Sequence, residues 1–182
     1  KMGKPIDVWV NSNADEVELF LNGKSLGKKT MPRNSHLQWD VNYEPGTLEA
    51  VGYKKDKKLT SKVETTGNAY NVVLSPDKTI LTADGKDATV INISITDEKG
   101  REVPIADNML KFYISGDAKI IGVGNGDPSS HEPDQCIDGA WQRSAFNGKC
   151  QVIVQAGKSV GEVKFEAKSN GLNSASILLS IK

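Results

Sequence analysis

Val17-Glu18-Leu19-Phe20-Leu21-Asn22-Gly23-Lys24-Ser25-Leu26-Gly27-Lys28 is the stretch that decides the fold class. An apolar, strand-like run meets Asn-Gly, the pair that most readily supplies two positive φ angles in succession, and a second run returns; the pattern predicts a β-hairpin. Upstream, Ile6-Asp7-Val8-Trp9-Val10-Asn11 alternates apolar and polar at period two and stops at Asn11-Ser12-Asn13, the mark of a strand buried on one face. Downstream, Pro32-Arg33-Asn34-Ser35 reads as a loop and His36-Leu37-Gln38-Trp39-Asp40-Val41 alternates again. Tyr43-Glu44-Pro45-Gly46 turns into Thr47 to Tyr53, Lys54-Lys55-Asp56-Lys57-Lys58 is a charged hairpin tip that blunts an edge, and Leu59 to Thr65 closes the set. These make about seven short strands with no helical period, the signature of a small immunoglobulin-like sandwich.

Thr66-Gly67-Asn68 breaks the pattern and a new series begins at Tyr70. Asn71-Val72-Val73-Leu74-Ser75 with Pro76 reads as an edge strand, because proline cannot donate to a ladder. Thr89-Val90-Ile91-Asn92-Ile93-Ser94-Ile95 is the clearest central strand, and Leu110 to Ile114, Ala118 to Ile121, Gln151 to Gln155, Gly161 to Ala167 and Ser174 to Ile181 follow. The expectation is therefore an all-β chain of two tandem immunoglobulin-like β-sandwich domains, residues 1–68 and 69–182, the second of roughly 110 residues and large enough for its own core. A stand-alone fold is expected of each.

Strand patterning lapses once at length. In Ile120-Ile121-Gly122-Val123-Gly124-Asn125-Gly126-Asp127-Pro128-Ser129-Ser130-His131-Glu132-Pro133 three alternate glycines are expected to take positive φ or to admit another backbone, and Asp-Pro then forces a turn. No apolar period is found from Asn125 to Gln142, so the sequence predicts a long loop there, and long loops in compact domains are functional or disordered.

Composition excludes several classes. The 182 residues hold 23 basic and 23 acidic side chains, so no global field recruits nucleic acid or an anionic membrane. No apolar run reaches the length of a membrane span, and Lys1-Met2-Gly3-Lys4-Pro5 lacks the apolar segment of a signal peptide. Cys136 and Cys150 are too few for a disulfide scaffold; a free pair is expected, with a bridge between them as the alternative.

Two stretches carry a family resemblance. Gly122 to Pro133, followed by Arg143-Ser144-Ala145-Phe146-Asn147-Gly148-Lys149-Cys150-Gln151-Val152-Ile153-Val154-Gln155, resembles the C-terminal immunoglobulin-like domain of bacterial family 2 glycoside hydrolases of the β-galactosidase type. Residues 6–53, through Val8-Trp9-Val10-Asn11-Ser12-Asn13 and the hairpin from Val17 to Gly27, are similar to the accessory module that often precedes it. The resemblance implies a fragment of a larger enzyme, without its sugar-binding N-terminal domain and its catalytic barrel. The partners it implies are those domains, with carbohydrate as a further one, and the location it implies is periplasmic or extracellular.

No catalytic residue is expected in this chain. Retaining glycoside hydrolysis needs two carboxylates about 5 Å apart in a cleft, whereas the acidic residues here fall mostly on outward strand positions and turn tips. His36 and His131 have no nucleophile elbow beside them. Asp127, His131, Glu132, Asp134 and Asp138 are oxygen-rich, but their spacing fits no EF-hand, so neither metal nor cofactor is expected. Trp9 and Trp39, in alternating strands, are assigned to the core; for Trp141 an exposed sugar platform and a pin that packs the loop down both stay open. The loop is expected to be ordered by its own polar contacts and to present a carbohydrate or interdomain surface, with Asn125, Asp127, His131, Glu132, Trp141 and Arg143 as its residues. A carbohydrate-binding module and an adhesin-like surface domain are the alternatives to a structural accessory fragment.

Overall fold

A computed structural model describes residues 2–135 and 139–182. Among the described residues there is no helix: the chain is all-β, in two compact units that divide between Thr65 and Thr66.

The first unit has six strands where the sequence suggests about seven: β1 (Pro5–Val10), β2 (Glu16–Leu21), β3 (Lys24–Thr30), β4 (Leu37–Asn42), β5 (Thr47–Lys54) and β6 (Lys57–Glu64). They form a four-stranded antiparallel sheet in the order β3-β2-β5-β6 and a two-stranded ribbon, β1-β4. The expected hairpin joins β2 to β3, with Leu21 opposite Lys24 and φ of 51° at Asn22 and 79° at Gly23. Val17 and Leu19 of β2 bury against Leu37, Trp39 and Val41 of β4. Trp39 meets the core expectation, at 5% exposure; Trp9 does not, at 58%. Face is set by parity in a strand, and Trp9 has the parity of Asp7, opposite to the half-buried Ile6, Val8 and Val10.

The second unit contains β7 (Asn71–Pro76), β8 (Ile80–Leu81), β9 (Ala88–Thr96), β10 (Met109–Ser115), β11 (Ala118–Gly124), β12 (Trp141–Ser144), β13 (Lys149–Ala156), β14 (Gly161–Ser169) and β15 (Ala175–Ile181). One sheet runs β11-β13-β9-β7 and the other β12-β10-β14-β15-β8. The first is the ABED order of an immunoglobulin sandwich, and β10, β14 and β15 stand as C, F and G of the second. Ile91, Ile93 and Ile95 of β9 and Val152 and Val154 of β13 face Leu110, Phe112, Val163, Phe165 and Leu179 of the other sheet, all buried. Phe112 and Phe165 stack with ring centroids 6.0 Å apart.

Residues 66–68, placed in the first domain by the sequence reading, fall in the second compact unit. Gly67 N donates to Asp97 Oδ2 at 2.8 Å, and the same carboxylate accepts from Lys99 N, Arg101 N and Arg101 Nε at 2.9, 2.9 and 2.8 Å. Asp97 is buried. The Arg101 guanidinium, then the Gly67 amide, hold its pKa far below the ordinary carboxylate range.

Candidate functional site

The glycine-rich stretch is built differently from the expectation. Gly122 and Gly124 lie within β11, paired with Ile153 and Gln151 of β13, and a bulge between Ile120 and Gly122 re-aims the strand. Of the three glycines only Gly126 has positive φ, at 74°. The irregular segment also ends earlier than Gln142, because Trp141 to Ser144 form β12 and pair with β10. β11 is the edge of one sheet and β12 the edge of the other, and residues 125–135 leave β11 in irregular backbone.

Arg143 organises that segment. It sits opposite Leu110 of β10, on the inner face of β12, and is 4% exposed. Its Nη1 donates to Glu132 O at 2.8 Å and to Asp134 Oδ1 at 2.9 Å, and its Nη2 donates to Asn125 Oδ1 at 3.1 Å. Glu132 Oε2 lies 3.8 Å from Nε and accepts from Ser144 N at 2.8 Å. Asn125 Nδ2 donates to Ser144 O at 2.9 Å, while its Oδ1 also accepts from Asp127 N at 3.0 Å. Asp127 Oδ1 accepts from Ser129 N and Oγ at 2.9 and 2.7 Å, and these bonds pull its pKa down. Val123 N donates to Asp134 O at 3.0 Å, tying the loop to β11.

Four of the six expected residues, Asn125, Asp127, Glu132 and Arg143, therefore belong to one hydrogen-bonded network. Trp141 packs against the core opposite Phe112 and is half-buried. His131 is exposed. The sequence reading weighed Asp134 only as a metal ligand and left out Ser129 and Ser144. Nothing in strand periodicity marks such residues: Ser129 bonds the Asp127 carboxylate two residues away, whereas Asp134 meets Arg143 and Ser144 meets Asn125 and Glu132 across 9 to 19 residues of sequence. Asp138 and Cys136 lie outside the described residues.

Chemically the network is a structural lock. The two Nη groups make a fork of charge-assisted bonds to the loop's own oxygens, while the buried Nε has no hydrogen-bond partner among the described residues. The carboxylates with displaced pKa values, Asp84, Asp87, Asp97, Glu102, Asp117 and Asp127, are all held low by donors, opposite to the shift a general acid needs. Cys150 is 2% exposed and burial pushes its thiol up to about 12, so it is no nucleophile at neutral pH.

Residues 72–178 match the model of the glycoside hydrolase family 2 C-terminal domain 5. The chain belongs to that family. Residues 3–60 of this family 2 chain match a domain of unknown function, DUF4982. The chain is 42% identical to a β-galactosidase of Bacteroides ovatus over 98% of its own length and 21% of the relative's. It is 38% identical to a putative β-glucuronidase of Formosa agariphila, over 86% of the chain and 15% of that protein. A solved glycosyl hydrolase family 2 member from Bacteroides cellulosilyticus superposes with a TM-score of 0.94 at 38% identity, covering 100% of the chain and 23% of that structure. The family 2 chain thus spans about a fifth of the length of the first of these relatives.

Proposed function

We propose that the chain is a non-catalytic, C-terminal accessory portion of a family 2 glycoside hydrolase that acts on β-galactosides or related glycans. In this reading its two compact units are tandem immunoglobulin-like domains with a structural and positioning role beside the parent's catalytic barrel and N-terminal domains. The observation that carries it is the Arg143 network: in a loop, where chemistry is usually borne, Asn125, Glu132 and Asp134 bond to Arg143 and Ser144 of β12 and so order the loop itself. Its outer surface, with His131, Glu132 and Asp127, is then an interdomain contact, while Asn125, Trp141 and Arg143 act from beneath. A periplasmic or extracellular parent is part of the same proposal; no described helix is long and apolar enough to cross a membrane.

The test is turnover. The isolated chain is expected to release no aglycone from aryl β-galactosides, because a retaining mechanism requires an acid/base and a nucleophile about 5 Å apart in an enclosing cleft. Activity that survives repurification and melts away with the fold would defeat the proposal.

A further inference from the structure

The outward face of the β1–β4 ribbon carries side chains that the fold does not need. Trp9 lies opposite Gln38 and Asp7 opposite Asp40 in the register, and all four are exposed. The indole of Trp9 stacks on the imidazole of His36, with centroids 4.1 Å apart and planes 13° apart. Its Nε1 donates to Asp7 Oδ2 at 3.4 Å, and Gln38 Nε2 donates to Asp7 Oδ1 at 2.6 Å. A large aromatic ring left in water forfeits its burial free energy, and like charges directly opposite on a ribbon repel. Both are costs to folding, and a ligand that stacks on the ring and donates hydrogen bonds to the carboxylates relieves both.

Past the end of β1, Asn11, Asn13, Arg33, Asn34 and Ser35 are among the residues lining a depression. Asn11 is two residues beyond Trp9, and Ser35 adjoins His36. An aromatic plate, the Asp7 and Asp40 carboxylates and the Gln38 amide, together on one face of the ribbon, form the donor and acceptor set that reads a sugar: the ring takes the apolar face of a pyranose, carboxylates accept from hydroxyls, and amides do both.

We propose that this face of the first unit is a carbohydrate-binding platform centred on Trp9 and specific for a neutral pyranose. The Asp7–Asp40 pair sets the specificity, since it accepts hydroxyl hydrogens and repels the carboxylate of a uronic acid. A flat ribbon face encloses nothing, so the platform binds without cleaving. Its use, holding a glycan near a catalytic domain, rests on the reading of the parent as a glycosidase; the binding itself stands on this face alone.

The experiment is a titration of the full 182-residue chain with methyl β-galactoside and, in parallel, methyl β-glucuronide. Amide shifts and tryptophan fluorescence are followed to about 100 mM sugar, because one stacking platform supports affinities on the order of millimolar. Shifts confined to residues near Trp9, His36 and Asp40 are expected with the galactoside, and a response weaker by about fivefold or more with the glucuronide at low ionic strength. Trp9→Ala, with amide dispersion intact, abolishes the shifts, Asp7→Asn weakens them, and Trp141→Ala leaves them unchanged. No saturable shift, a shift that persists in Trp9→Ala, or equal response to both sugars overturns the proposal. Those outcomes leave the accessory reading standing, since that reading falls only on turnover.

Discussion

Arg143 illustrates how little of a buried ion pair's energy lies in the pairing. Asp134, which takes one of its bonds at 2.9 Å, has a side chain 79% exposed, and a pair with one partner in water is worth about 1 kcal/mol or less. The bonds to Glu132 O and Asn125 Oδ1 are different, because both acceptors are partly buried and charged donors contribute about 1.5–3 kcal/mol each. Arg143→Lys keeps the charge but loses the fork, so it is expected to destabilise the protein by about 2–3 kcal/mol. Asp134→Asn is expected to cost under about 1 kcal/mol. Chemical denaturation of both variants checks the order, and equal losses would mean that the charge, not the fork, holds the loop.

Among the elements, the Asn147-Gly148 turn shows how local chemistry and long-range contact combine. Its φ angles, 51° and 78°, match those of the hairpin at Asn22-Gly23, yet the strands it joins lie in different sheets, β12 in one and β13 in the other. Gly148 N donates to Ala106 O and its carbonyl accepts from Ile95 N, both at 2.8 Å, and a Cβ there would stand 2.4 Å from Val103 O. Gly148→Ala therefore meets a left-handed backbone and a clash with main chain together, and a loss of about 2 kcal/mol or more is expected in thermal or denaturant unfolding. A near-neutral result would show that Val103 moves aside at little cost.

The strands that were legible in the sequence are those whose alternation is hydrophobic on one parity, such as β4, in which buried and exposed residues alternate, and β9, in which buried and half-buried ones do over most of its length. β12 was hidden because the charged Arg143 occupies an inward position of a four-residue strand, which inverts the expected pattern. Gly122 and Gly124 read as a turn, but in β11 the ladder to β13 holds them extended. Trp9 lies in an alternating strand, the pattern that suggests a core residue, but on the outward parity it shares with Asp7. The loop's residues, Arg143 among them, were legible as a group, since Asn, Asp and Glu without periodicity imply local capping; that Arg143 is buried as their common partner was not, because a charged residue at an inward strand position runs against the usual pattern.

For the whole molecule the two units differ in what supports them. The first has six buried apolar residues in its core and an edge strand, β6, exposed along its length, a modest core for a unit so small. The second has a much larger core, and as an isolated fragment it is expected to fold, with dispersed amide resonances. Where the cut falls matters. A fragment of residues 66–182 keeps the Gly67 amide on Asp97, whereas one of residues 70–182 loses it and leaves a buried carboxylate short of one donor, so the longer fragment is expected to be the more stable at neutral pH. The difference has a defined pH dependence. Arg101 first and Gly67 second hold the folded pKa of Asp97 below its unfolded value, so this stabilisation is complete above the unfolded carboxylate pKa of about 3.9 and is lost as pH falls below it toward the folded value. Denaturant midpoints of the two fragments are expected to separate at pH 7 and to draw together as the pH is lowered below about 4. Midpoints that coincide at pH 7 would show that the linker amide adds nothing to the clamp, and an unfolded longer fragment would show that the second unit depends on the first.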